Sequence, residues 1–289
     1  MLWDAWPQLQ ANLPHIHARW LLLTLVGDVV AGYLGFEAFR TLFEHMRPRL
    51  YSRLQLGNLY FIGQLMKHLP GRIWGVAYQS ASGDRASLAQ WVSVSAVYML
   101  ASTGFALWVA LTVLGFMLRW DWGALALVVG GVVYALGWRP RPLIALLNLL
   151  RKLPLRVMAR LCDALQPFAH VNARFKLRLG CWFVASWLLY LLAWAGYGLV
   201  WPDLTAADGV WLCAIYTVAW FVGYASVLSP SGIGVRELVF VLLARDFPPD
   251  AVAGMAVLGR VMLLAVDVLL GVVVAPLGSR VFKQNRGDS

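Results

Sequence analysis

A set of ionisable residues lies where an otherwise apolar sequence leaves little room for water: Asp28, Glu37, Lys67, Arg72, Arg236, Glu237, Arg260 and Asp267. A charge at membrane depth costs several kcal/mol unless it is paired or hydrated, so such positions are expected to bind, carry or pair. Two short segments concentrate them. Lys67-His68-Leu69-Pro70-Gly71-Arg72-Ile73-Trp74 places a cation on either side of a helix-breaking Pro-Gly pair. In Ser229-Pro230-Ser231-Gly232-Ile233-Gly234-Val235-Arg236-Glu237, Pro230, Gly232 and Gly234 precede an Arg-Glu pair. A break of this kind frees backbone amides ahead of a new helix, and free amides beside a guanidinium favour an anion such as a phosphate. Arg260 and Asp267 fall two helical turns apart on one face and are expected to turn toward Arg236 and Glu237. Arg260 with Glu237 reads equally well as a structural ion pair. Asp28 and Glu37 read better as internal ion pairs near the membrane borders.

The elements that position these residues follow from composition. The chain has 289 residues, 61% of them hydrophobic and 13% charged, and a mean hydropathy of +0.68. Soluble domains average about 45–50% apolar and about 25% charged. A soluble enzyme and a disordered binder are thereby excluded. Ala86 to Leu118, Leu179 to Pro202 and Gly209 to Val235 carry no Asp, Glu, Lys or Arg, and each exceeds the roughly 20 residues that cross a bilayer as a helix. Continuous apolar runs, without alternation, also exclude an outer-membrane β-barrel. The net charge of +10 is explained by where the bases fall. They gather at Arg40, Arg47, Arg49 and Arg53, through 139–178 where only Asp163 opposes them, and in the tail at Arg280, Lys283 and Arg286. The positive-inside bias puts these stretches in the cytoplasm and leaves no need for nucleic acid.

Parity then fixes a topology. Residues 1–19 form an interfacial segment on the outer face, with Trp3 and Trp6 at headgroup level and no cleavable leader. Residues 20–138 form a first transmembrane half, 139–178 a basic cytoplasmic interfacial linker with a helix over 143–165, 179–278 a second half, and 279–289 a cytoplasmic tail. Full spans are expected at 20–39, 91–118, 122–138, 179–201 and 251–277. The remaining segments, 54–85 and 209–249, must enter and leave on one side, the first from the cytoplasm and the second from outside. The expected fold is therefore an all-α polytopic membrane protein with about five full spans plus two oppositely oriented re-entrant hairpins, suggestive of an inverted repeat. A pair of short full spans in place of either hairpin also satisfies the charge rule. Trp120, Trp122, Trp201 and Trp211 read as interface belts. Cys162, Cys181 and Cys213 read as packing residues.

Both breaks also carry a resemblance. Residues 229–237 resemble the Pro-Gly-Gly-Leu-Gly-x-x-Glu signature of the lysylphosphatidylglycerol synthase transmembrane-region family, the flippase-like integral membrane proteins, and 63–74 resembles that family's Lys-Tyr-Leu-Pro-Gly-Lys-x-Trp segment. Ser231 stands where the family usually has glycine, and His68 where it has tyrosine. The chain to Ser289 includes no aminoacyl-transferase domain, so the resemblance is to a stand-alone member. It implies a domain that translocates a lipid or a lipid-linked sugar.

Enzyme constellations do not emerge. No Walker A loop, His-Glu-x-x-His helix or Gly-x-Ser-x-Gly elbow occurs, and the five histidines are scattered. No catalytic residue, metal or cofactor is expected. The leading expectation is a flippase or scramblase of the bacterial inner membrane, its N-terminus outside and its C-terminus cytoplasmic. It would admit an anionic phospholipid or a polyprenyl-phosphate-linked glycan between the two hairpins. Lys67, Pro70, Gly71, Arg72, Pro230, Gly232, Gly234, Arg236, Glu237, Arg260 and Asp267 form the expected binding set, with Glu237 and Asp267 balancing the cations and exchanging protons. Two alternatives stay open: a membrane-embedded transferase acting on a lipid phosphate, and a non-catalytic partner in a lipid or glycan assembly complex. A second copy of the chain or an envelope-biosynthesis protein is the partner foreseen besides lipid.

Overall fold

A computed structural model describes residues 17–66, 68, 74–83, 85–137, 163, 166–168, 171–225 and 234–287, with side chains as far as residue 273. The described residues are helical throughout, apart from turns and short connections. The helices are α1 (Ala18–Met46), α2 (Arg53–Met66), α3 (Trp74–Ser82), α4 (Leu88–Leu118), α5 (Trp120–Gly137), α6 (Ala173–Gly198), α7 (Ala206–Ala225), α8 (Val235–Leu243) and α9 (Pro249–Gly287). Six of them, α1, α4, α5, α6, α7 and α9, contain a stretch long and apolar enough to cross a membrane. The chain is thus of a multi-pass kind. All five expected spans are present as helices. The sixth, α7, is the first limb of the segment read as the second hairpin, and by length alone it reaches across. The next described helix, α8, has 9 residues, a rise of roughly 13 Å at 1.5 Å per residue, less than half the hydrocarbon core. Residues 1–16 and nearly all of the expected helix over 143–165 lie outside the described residues.

Several helix starts are set by side chains that bond reciprocally with the backbone. Ser52 N–H donates to Gln55 Oε1 (3.0 Å) while Gln55 N–H donates to Ser52 Oγ (3.3 Å), and Ser87 with Gln90 repeats the arrangement at the head of α4. Thr205 and Asp208 do the same for α7. Each box satisfies two amides that a helix start leaves unpaired. At the other end of α1, Arg40 holds the last turns helical by bonding back to Glu37 and forward to Glu44 (both 2.7 Å). The helix therefore continues past the expected end at 39, to Met46.

By contact density the chain divides into two compact units: one of 1–32, 106–127 and 186–269, the other of 33–105, 128–185 and 270–289. Each draws on both sequence halves. In the second of these units α2 is buried along most of its length, from Gln55 to Phe61 and again at Gly63. A 14-residue helix, too short to cross a bilayer, is here largely an interior element. Its polar groups are accordingly bonded, with Tyr78 Oη donating to Asn58 Oδ1 (3.1 Å), as buried polar groups must be. Phe36, Phe39 and Phe43 recur along one face of α1 and pack on Tyr60, Phe61 and Trp91, the closest ring centroids 4.8 Å apart.

Helices α2 and α3 meet almost backbone to backbone. A Cβ at Gly75 would stand 2.6 Å from the Gly63 carbonyl oxygen, inside contact distance. Gly75→Ala is therefore expected to force the pair apart at a cost of about 1–3 kcal/mol. Gly104→Ala, where nothing lies within 4 Å, should be neutral or slightly stabilising. Unfolding midpoints in detergent compare the two, and equal midpoints would refute the close crossing.

In the other unit a buried cluster of Trp194, Tyr197, Trp201, Leu212, Tyr216, Phe240 and Met255 joins α6, α7, α8 and the start of α9. Here one tryptophan departs from the belt reading, since Trp201 is buried in this core. Trp211 packs edge-on against Phe247 (5.4 Å) and stays partly exposed. Trp120 and Trp122 remain exposed, as interface anchors are. Helices α1 and α6 cross closely at Gly27 and Ala193, with Thr24 donating to the Ala193 carbonyl (3.0 Å) and Ser186 to that of Ala31 (2.9 Å). Small residues with hydroxyl bonds are how helices associate when lipid is the solvent. Outward-facing Leu23, Val26, Leu188, Leu192, Val261 and Leu264 are exposed, a surface that suits hydrocarbon rather than water.

Candidate functional site: an arginine pair on Glu237

Helix α8 begins at Gly234, whose φ of 86° falls in the left-handed region open to glycine. That turn lets Glu237 reach back, so that its Oε2 accepts the Gly234 N–H at 2.8 Å. The other carboxylate oxygen serves two cations. Arg236 donates to Oε1 from Nε (3.2 Å) and Nη2 (3.0 Å), and Arg260, on α9, donates from Nη1 (3.0 Å). Arg236 also lies over the ring of Tyr216, 5.2 Å from its centroid, where the ring's negative face attracts it. The backbone beneath is tight, for a Cβ at Gly223 on α7 would come within 2.9 Å of Arg236 Cβ. α7 and α8 thus close on each other at the residue that carries the guanidinium.

The two arginines are not equivalent. The Arg236 side chain is 12% exposed and Glu237 13%, whereas Arg260 is 39% exposed. Arg260 spends one N–H on Glu237, and among the described residues its remaining donors have no protein partner. A half-exposed guanidinium held in place by a less exposed carboxylate has the chemistry to accept a phosphate or carboxylate.

Of the expected set, Gly234, Arg236, Glu237 and Arg260 come together here. Lys67, Pro70, Gly71, Arg72, Pro230 and Gly232 lie outside the described residues. Asp267 is half-buried, and no salt bridge joins it to Arg236 or Arg260. Two helical turns bring it to the same side of α9 without bringing it to the cluster. Tyr216 was not foreseen. It is one tyrosine of ten, and nothing local in sequence marks it as the platform under Arg236.

A second charged cluster lies in the other unit. Glu37 is 1% exposed and accepts from Arg40 Nε (3.0 Å) and Nη2 (2.7 Å) on Oε2, and from Arg53 Nε (3.0 Å) and Nη2 (2.7 Å) on Oε1. Arg53 further contacts the Tyr33 hydroxyl and lies 5.5 Å from that ring's centroid. The expected ion pairing of Glu37 is present, and it ties the end of α1 to the head of α2. Asp28 differs from the expectation. It is 7% exposed, its Oδ1 has no hydrogen-bond partner, and it forms no salt bridge among the described residues. Sequence reveals that a charge is present but not how far it stands from the nearest cation.

Among the described residues no three His, Cys, Asp or Glu side chains are placed to hold a metal ion. No protein-family model, curated protein or solved structure matches the chain.

Proposed function

We propose that the chain is a lipid transporter, a flippase or scramblase that passes an anionic, phosphate-bearing headgroup across the membrane. The observation that carries this reading is Arg260, a half-exposed guanidinium fixed on Glu237 beside the start of a short helix, with donors that no other described residue takes. Such a group can take a phosphate on its other donors while Nη1 stays on Glu237, so the bond between α8 and α9 is kept. The resemblance of 63–74 and 229–237 to the flippase-like family supports the same cargo class, an anionic phospholipid or a polyprenyl-phosphate glycan.

The proposed topology has both breaks re-entrant from opposite sides, the N-terminus outside and the C-terminus in the cytoplasm of a bacterial inner membrane. Two likenesses between the breaks support it. Each is followed by a helix of 9 residues, α3 and α8, and each short helix meets its partner across a glycine, Gly63 with Gly75 and Gly223 with Arg236. Paired broken helices of this kind are how many transporters build a site at the midplane.

The test is leaflet accessibility of labelled lipids in proteoliposomes, comparing phosphatidylglycerol, its aminoacylated form and a polyprenyl-phosphate sugar. Movement of one class is expected, reduced at least about tenfold in Arg260→Ala, a change equivalent to about 1.4 kcal/mol. Absence of movement of every class by folded protein, or equal rates in the variant, would overturn the assignment. A covalently altered lipid seen by mass spectrometry would instead favour a transferase.

A further inference from the structure

Asp28 is the one acidic side chain, among the described buried ones, that the ion pairs above leave without a cation. It sits on α1 within electrostatic reach of Tyr190 and Tyr197 on α6 and of Cys213 and Tyr216 on α7. None of these is basic. Beyond them, Arg236, Glu237 and Arg260 act on Tyr216. Two polar atoms in this neighbourhood are buried and unpartnered at once, Asp28 Oδ1 and Tyr216 Oη. A buried carboxylate facing only neutral groups is costly, and the cost is relieved when a proton or a cation joins it. A metal cation needs several oxygen ligands, and no group of three acidic, His or Cys side chains is present among the described residues. A proton needs one.

We propose that Asp28 is a proton-binding site, linked through Tyr216 to the arginine pair on Glu237, so that protonation and headgroup binding are coupled. The site chemistry stands on burial and the two orphaned oxygens; its place in a transport cycle rests on the function proposed above. Tyr216 is common to both sets, feeling the charge of Asp28 as well as those of Arg236, Glu237 and Arg260. Its ring lies under Arg236, and its hydroxyl and that of Tyr197 both lie 4.0 Å from where a Cβ at Gly259 would stand, next to Arg260 in the chain. Glu237, expected from sequence as a proton carrier, is a poor one, since two guanidiniums depend on its charge. Asp28 has no such obligation. Binding adds H⁺ to the carboxylate to give the neutral acid, and release returns H⁺ to water with no other bond made or broken.

The experiment is infrared titration of the whole protein in lipid nanodiscs, comparing wild type with Asp28→Asn. A carbonyl stretch of a protonated carboxylic acid is expected in wild type. It should shift in heavy water, fade as the pH is raised and be absent from the variant. Unchanged thermal unfolding shows that the variant is folded. Should Asp28→Asn fail to fold, Asp28→Glu must retain a titrating acid band displaced in frequency. A spectrum with no band belonging to residue 28 at any pH would overturn the proposal. In proteoliposomes an imposed pH gradient is expected to change the lipid rate several-fold in wild type and not in Asp28→Asn; an equal response in both would overturn the coupling. An acid band with no lipid movement at all would uphold the proton site and defeat the transport reading, so the two fail separately.

Discussion

Glu37→Ala is expected to lower stability by about 3 kcal/mol, the lower end of the range for breaking a buried ion pair. The carboxylate is 1% exposed and accepts four hydrogen bonds from two arginines. Its loss leaves Arg40, only 18% exposed, without its strongest partner, whereas Arg53, 56% exposed, regains water. That difference sets the estimate low in the range. Glu37→Gln, which keeps one acceptor and the volume, should fall between. Denaturant unfolding in micelles measures both, and a loss below about 0.5 kcal/mol, the size of an ordinary surface change, would show that the cluster does not hold α1 to α2.

Glu237→Ala is expected to slow lipid movement more than about tenfold while leaving headgroup binding intact or tighter. Removing the carboxylate takes the counterion from Arg236 and Arg260 together and uncaps the Gly234 amide. An anion then meets two unneutralised guanidiniums and leaves slowly, whereas in Arg260→Ala it should bind weakly. Opposite shifts in apparent affinity for the two variants, both slow, are the signature of a site that must release its cargo. Parallel losses of affinity would mean that Glu237 only supports the fold. Glu237→Gln can still accept from Gly234 and separates the cap from the charge.

The long helices were legible in sequence because charge-free runs exceed the bilayer thickness, and all five expected spans have a helix. Their ends were less so. α1 passes its apolar limit because Arg40 finds Glu37 and Glu44 one turn to either side, and α6 begins before its apolar run because Asn172 Oδ1 caps it at Phe175 N–H (2.8 Å). Ser52-x-x-Gln55 and Ser87-x-x-Gln90 are sequence signals that would have set the starts of α2 and α4. Arg236, Glu237 and Arg260 stood out because charges in apolar surroundings are rare. The Arg260–Glu237 pair was legible and is present, whereas Tyr216 under Arg236 and Trp201 in the core were not, for those contacts come from segments that only the fold brings together.

The shared Glu237 oxygen leaves the site with an unbalanced valence. Two guanidiniums and one carboxylate leave a surplus of a single positive charge, and in a medium of low dielectric that surplus is felt strongly. A phosphodiester, with one negative charge, would bring the assembly to neutrality; a diphosphate would overshoot and carry uncompensated charge into the membrane layer. If lipid moves as proposed, diester headgroups are expected to be favoured over pyrophosphate-linked ones, and the number of charges on the cargo, rather than its sugar or acyl chain, is the first property to vary.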